Sequence, residues 1–144
     1  MTTLYIESSA VLRWLLTEAE HNIVAASVQH ADTVVSSALT GVEVERALIS
    51  AEALTTLKSA QRHELQGAFA AAQRRWILME INADVRKRAS EPFPVEPVRA
   101  LDAIHLATAL EFLKTHPNLA ILSFDHRIRK NLAPLGLTEV AASA

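Results

Sequence analysis

Cysteine is absent from the 144-residue chain. Disulfides, cysteine-ligated zinc, iron–sulfur clusters and a thiol nucleophile are excluded together, and a reducing compartment is compatible. Aromatic residues make up only 5% of the chain, which argues against gripping nucleic acid by extended base stacking. Glycine (3) and proline (5) are scarce, and three of the prolines fall in EPFPVEP at 91–97, a stretch that reads as one loop rather than a linker. No repeat or low-complexity tract divides the chain, and no apolar run nears the ~18–20 residues of a membrane span. The opening MTTLYIESSA lacks a basic start, and Glu7 interrupts its apolar run, so no signal peptide is expected. Neither sign of charge dominates: 14 Lys and Arg face 16 Asp and Glu, for a net charge of −2 and a pI near 6.3. That argues against a globally basic nucleic-acid face, though not against a local patch.

Apolar residues are plentiful. They form 50% of the sequence, against 21% charged, and mean hydropathy is +0.16. A chain of this composition folds, and its length suits a single domain over 1–144 that buries roughly 68–70% of its unfolded surface. The high hydropathy predicts apolar surface covered by a partner or a homodimer, in a cytoplasmic protein.

Hydrophobic periods give an order of elements. Short apolar runs at TLYI (3–6), TVVS (33–36), WILMEI (76–81), LAILSF (119–124) and 137–140 read as strands. Helices are expected over 9–16, 39–53, 56–74, 83–89, 98–114 and 127–132. Thr17-Glu18-Ala19-Glu20 has the form of a capping box opening another helix through about Val28. Strands alternating with helices imply an α/β fold, with a parallel sheet covered on both faces. Ligands in such folds gather at the carboxyl ends of the strands.

Acidic residues stand where that rule points. Glu7 follows the first strand and Asp125 follows LAILSF. Asp125 also suits a helix N-cap, whereas at Glu7 the neighbouring Ser8 or Ser9 is the better capping residue. Glu43 interrupts the apolar stripe of SALTGVEVERALIS, where it needs a cation, either an arginine such as Arg46 or a metal. Asp102 opens ALDAIHLATALEFL, a helix apolar nearly all round. It is an N-cap, a partner for His105 or a ligand, and His105 itself reads as structural because no second His or Cys stands at ligand spacing. Clustered carboxylates repel one another and call for a cation. Mg²⁺ or Mn²⁺ prefer such oxygen ligands, and either ion supports phosphodiester hydrolysis. Arg127 and Lys130 follow Asp125 closely enough to be either candidate contacts to a phosphate backbone or a solvated face, while Arg86–Arg88 read as a solvated helix face.

LYIESSAVLRWL, SALTGVEVERAL, RALDAIHLATAL and ILSFDHRIRKNLAPLGL resemble the four blocks of PIN-domain ribonucleases, and most of all the VapC-type toxins of bacterial toxin–antitoxin modules. The resemblance covers nearly the whole chain. It implies a three-layer α/β/α sandwich with a central parallel sheet of four to five strands. It also implies an acidic pocket for Mg²⁺ or Mn²⁺ formed by Glu7, Glu43, Asp102 and Asp125, supported by Ser9 and Ser123. RNA cleavage by activated water, a homodimer and a cognate antitoxin are the functional implications.

The first block of the family carries Asp, and Glu7 stands there in this chain. The extra methylene adds about 1.5 Å. Mg²⁺ holds its ligands near 2.0–2.1 Å, so the longer arm is expected to reduce activity. The alternative is a non-catalytic RNA- or protein-binding module on the same fold. A phosphoacceptor receiver domain is disfavoured, because it needs an acidic pair after the first strand and this chain has Glu-Ser-Ser.

Overall fold

The structure is a computed structural model and describes residues 1–140. Its sheet has five parallel strands: β1 (Thr3–Ile6), β2 (Thr33–Ser37), β3 (Ile77–Met79), β4 (Leu119–Leu122) and β5 (Thr138–Glu139). They are ordered β3-β2-β1-β4-β5. The helices are α1 (Ser8–Leu15), α2 (His21–His30), α3 (Ala38–Ala53), α4 (Ser59–Gln73), α5 (Ala83–Ala89), α6 (Ala100–Leu113) and α7 (His126–Leu132). A 3-10 turn, Ala133–Leu135, follows α7. The expected α/β/α layering with a parallel sheet is present.

Alternation along β1 explains the layers. Leu4 and Ile6 point to one side of the sheet and join Val11, Val24, Val44, Leu48 and Phe69 from α1–α4. Tyr5 points to the other side and joins Leu106 and Phe112 of α6 with Ile128 and Leu132 of α7. All four residues of β1 are buried, as a central strand covered on both faces must be.

The chain leaves β1 toward β2 on one side, and β4 pairs with β1 on the other. The sheet order therefore switches between β1 and β4, where the loops after both strands diverge and leave a crevice. Glu7 donates its backbone N–H to the Leu122 carbonyl at 3.0 Å, which joins the two strand ends below that crevice.

Several boundaries differ from the expectations. The capping box at Thr17–Glu20 does not form, because Thr17 (φ 53°) and Glu20 (φ 70°) are left-handed and α2 starts at His21. The Glu20 carboxylate pairs with Arg13 at 2.9 Å instead. Helix α4 starts at Ser59 rather than Thr56, since left-handed Thr55 ends α3 and the N–H groups of Thr56 and Leu57 bond back to Ala51. Strand β3 keeps only three residues of WILMEI, being an edge strand paired with β2 alone. Strand β4 stops at Leu122, two residues short of the apolar run, where Ser123 and Phe124 turn into the crevice loop. Gly136 (φ 76°) adopts the left-handed conformation that turns the chain from the 3-10 turn into β5.

Candidate active site

Helix starts deliver most of the polar groups to one edge. Glu7 is the N-cap of α1, and its carboxylate accepts from the Ser9 N–H at 3.1 Å. The expectation that Ser8 or Ser9 would cap is thus corrected, and both serines are free for other bonds. Asp125 is the N-cap of α7, accepting from the N–H groups of Arg127 and Ile128. Asp102 is not a cap, since Arg99 holds that position for α6 and Asp102 lies in the first turn. Glu43 projects from α3, the helix that begins directly after β2.

A cleft of about 380 Å³ brings the four acids together, lined by Glu7, Glu43, Asp102 and Asp125 with Arg99, Ala100 and Leu101. Within it, ligand atoms of Glu7, Glu43 and His105 lie within 4.8 Å of one another. Glu7 and Glu43 thus close on the His105 ring, while Arg99 bridges the buried Asp102 and the half-buried Asp125. The Arg99 guanidinium stands 3.2 Å from Asp102 and 3.8 Å from Asp125.

Glu7 is held tightly. Its Oε1 accepts from the Ser9 hydroxyl at 2.5 Å and the Ser123 hydroxyl at 2.6 Å. Those hydroxyls in turn accept from the N–H groups of Phe124 (2.8 Å) and Asp125 (3.1 Å). Ser9 and Ser123 thus tie the loop after β1 to the loop after β4 through one carboxylate.

Among the described residues, Glu43 pairs with neither Arg46 nor any other arginine. Its Oε1 accepts from Ser8 Oγ and from His105 Nε2, both at 2.5 Å. Burial pushes the Glu43 carboxyl up, but the hydrogen bonds from His105 and Ser8 hold the group below its ordinary value. An ionised carboxylate only accepts, so His105 Nε2 carries the proton and Nδ1 accepts from the Tyr5 hydroxyl at 2.8 Å. Burial, together with the charges of Glu7 and Glu43, drives the Tyr5 phenol well above its ordinary value, so it stays protonated and donates. His105 is accordingly the partner of Glu43 and Tyr5, not of Asp102. Sequence reasoning assigns no role in the site to Ser8, Tyr5 or Arg99. For His105 a signal exists in its place one turn beyond Asp102, on the same face of α6.

Arg127 and Lys130 are exposed on α7 and do not line the cleft. Trp14 and Trp76 pack on the second core, Trp76 edge-on against Phe69, and border a shallow apolar groove with Ala25, Val28 and Gln29.

The family model described as PIN domain matches residues 4–131. The chain belongs to the PIN-domain family. Among PIN relatives, ribonuclease VapC35 of Mycobacterium tuberculosis is 32% identical over 142 residues, covering 96% of both chains. Ribonuclease VapC46 of the same organism is 30% identical over 143 residues, covering 99% of this chain and all of the relative. VapBC2 from Rickettsia felis, solved bound to a DNA fragment from its promoter, has the same fold (TM-score 0.63, 9% identity, 96% of this chain and 98% of that one). A toxin–antitoxin complex from Klebsiella pneumoniae does too (TM-score 0.65, 15% identity, 97% and 98% coverage). The cleft lining includes the four acids that the sequence blocks single out.

Proposed function

We propose that the protein is a divalent-metal-dependent endoribonuclease and the toxin of a toxin–antitoxin pair. The observation that carries the reading is the convergence of Glu7, Glu43, Asp102 and Asp125 on one cleft at the sheet's switch point. The donor set fits a small hard cation: the cleft lining offers four carboxylates, and Glu7 and Glu43 already place ligand oxygens within 4.8 Å of each other. Glu7, Glu43, Asp102 and Asp125 would hold Mg²⁺ or Mn²⁺. Such an ion supplies positive charge to a phosphodiester and makes water a stronger nucleophile.

The chain's own residues prepare that chemistry. Ser9 and Ser123 orient Glu7. Ser8 and His105 occupy Oε1 of Glu43, so Oε2 is the oxygen left to meet an ion or accept a proton. Arg127 and Lys130, exposed beyond the Asp125 cap, would hold RNA phosphates as point charges. A cognate antitoxin, a homodimer and a cytoplasmic setting complete the proposal. The antitoxin is supported by the fold neighbours and by apolar side chains left exposed, including Val42 and Ile77. Among the described residues, no helix is long and apolar enough to cross a membrane.

The test is incubation of the purified protein with single-stranded RNA in Mn²⁺ or Mg²⁺, and again with chelator. Internal cleavage that chelation stops is expected, and RNA left intact with either metal would refute the reading. One observation favours the alternative of a non-catalytic binding module: the three hydrogen bonds that hold the Glu7 carboxylate, two from Ser9 at the start of α1 and one from Ser123 after β4. Glu7→Asp addresses it. Asp caps helices well where Glu does not, so the Ser9 N–H keeps a partner while the arm shortens by one methylene. The variant is expected to cleave RNA severalfold faster with Mn²⁺. Equal or slower cleavage would show that the Glu7 arm is not what limits activity.

A further inference from the structure

The cleft contains one cation that the metal-holding role does not use. Arg99 lines it beside the four carboxylates, so the lining is strongly negative and repels an RNA phosphate as firmly as it attracts a metal ion. A bound divalent ion offsets only part of that excess. A second positive group is needed where the phosphate must lie, and Arg99 is the one cationic side chain among the described residues lining the cleft.

Its geometry differs from that of the other paired arginines. Arg13 sits 2.9 Å from Glu20, Arg129 sits 2.5 Å from Glu139 and Arg62 pairs with Glu52, each on one carboxylate. Arg99 straddles two carboxylates from different elements at 3.2 and 3.8 Å, with its side chain 63% exposed. A guanidinium has five N–H donors, and this loose bridge leaves most of them facing water. The backbone beneath it is well anchored. The buried Asn131 side chain bonds both the N–H and the carbonyl of Val95, at 2.8 and 3.0 Å. The Glu96 carboxylate accepts from the N–H groups of Phe93 and Val98, each at 2.8 Å. The Arg99 carbonyl accepts the N–H of Ala103 at 2.9 Å, the first turn of α6. A pinned main chain thus carries a loosely held guanidinium over Asp102 and Asp125.

We propose that Arg99 is a phosphate-binding residue of this site, exchanging the Asp102 and Asp125 carboxylates for the RNA backbone when a divalent ion takes those acids. The inference rests on the nuclease reading. It assigns Arg99 two opposed effects. Before an ion binds, it competes with the metal for the two aspartates. In the loaded site its planar fork donates to two non-bridging oxygens of one phosphodiester.

The experiment uses the full chain and its Arg99→Ala and Arg99→Lys variants. Mn²⁺ affinity is measured by calorimetry without RNA, and kcat/KM for a single-stranded oligoribonucleotide is measured across a salt series. Arg99→Ala is expected to bind Mn²⁺ about threefold or more tighter, through loss of the nearby positive charge. Its kcat/KM should fall about tenfold or more. The log–log salt dependence should become shallower by about 0.7, the share of one phosphate contact on a single strand. Arg99→Lys keeps the charge without the fork, so its Mn²⁺ affinity should match the parent while kcat/KM drops partway.

A merely structural arginine would give weaker Mn²⁺ binding in Arg99→Ala, and that result overturns the proposal. So does an unchanged kcat/KM and salt slope in a parent that cleaves RNA, an outcome that leaves the nuclease reading standing. A parent that neither binds Mn²⁺ nor cleaves RNA removes both. If Arg99→Ala does not fold, Arg99→Lys decides, and parental kcat/KM there also overturns the assignment.

Discussion

Asp102→Asn is expected to cut metal-dependent RNA cleavage by more than about a hundredfold while the protein stays folded. Removing even an outer partner of a metal ligand costs about 10–100-fold, so losing the charge of Asp102, as the direct ligand we propose, should cost more. The fold has little at stake. Asn keeps the shape of Asp, and the substitution breaks an ion pair whose Arg99 end is exposed and free to hydrate, while it removes charge from the buried Asp102 side chain, where burial itself disfavours the charged form. The negative charge in the first turn of α6 contributes ~0.3–1 kcal/mol through the helix dipole. Relief of repulsion from Glu7, Glu43 and Asp125 acts in the opposite direction. Thermal unfolding should therefore change little, whereas cleavage and Mn²⁺ affinity both collapse. A folded Asp102→Asn protein that cleaves like the parent would remove Asp102 from the site.

His105→Ala carries the largest expected loss of stability. The ring is 2% exposed and joins α6 to β1 and α3 through Tyr5 and Glu43. Truncation leaves a cavity and deprives the buried Tyr5 hydroxyl of its acceptor. Comparable changes cost about 3 kcal/mol or more. For a domain of this size that lowers Tm by roughly 10 °C. Tyr5→Phe, which removes only the hydroxyl, should cost nearer ~1 kcal/mol. The double variant should cost less than the two singles combined, because one bond is counted in both. Denaturant unfolding measures all three. A His105→Ala protein within about 1 kcal/mol of the parent would mean that the histidine network contributes little to the fold.

The acids are legible in the sequence for a reason tied to topology. Parallel strands send their carboxyl ends to one edge, so Glu7 and Asp125, each just past an apolar run, have to lie near each other. Glu43 stands out as a charge on an apolar stripe. The groups that tune them are not legible. Ser8 meets Glu43 across 35 positions of chain, His105 meets it across 62, and Tyr5 meets His105 across 100. No local pattern encodes such pairs, since each depends on how helices on opposite faces converge at the end of β1. Arg99 is hidden for a simpler reason: a lone arginine after a proline loop looks like any solvated residue.

Element bounds divide in the same way. Helix α5 has the limits its sequence suggests, because Asn82 caps it through the Val85 N–H and Ser90 follows its last turn. The starts of α2 and α4 depart from the sequence pattern because left-handed Glu20 and Thr55 carry no glycine to signal the turn. Strand β3 is shorter than its apolar run because apolar content says nothing about whether a neighbouring strand is present to pair with.

The central place of β1 sets a timetable for synthesis. The strand leaves the ribosome well before its β4 neighbour, encoded at 119–122, and the Ser123 hydroxyl that seats Glu7 lies later still. A nascent chain carries this fully buried strand half-covered until β4 has been made. A product truncated before that point would hold its carboxylates on separate, unjoined segments, with no competent centre and a bare strand flank open to proteases.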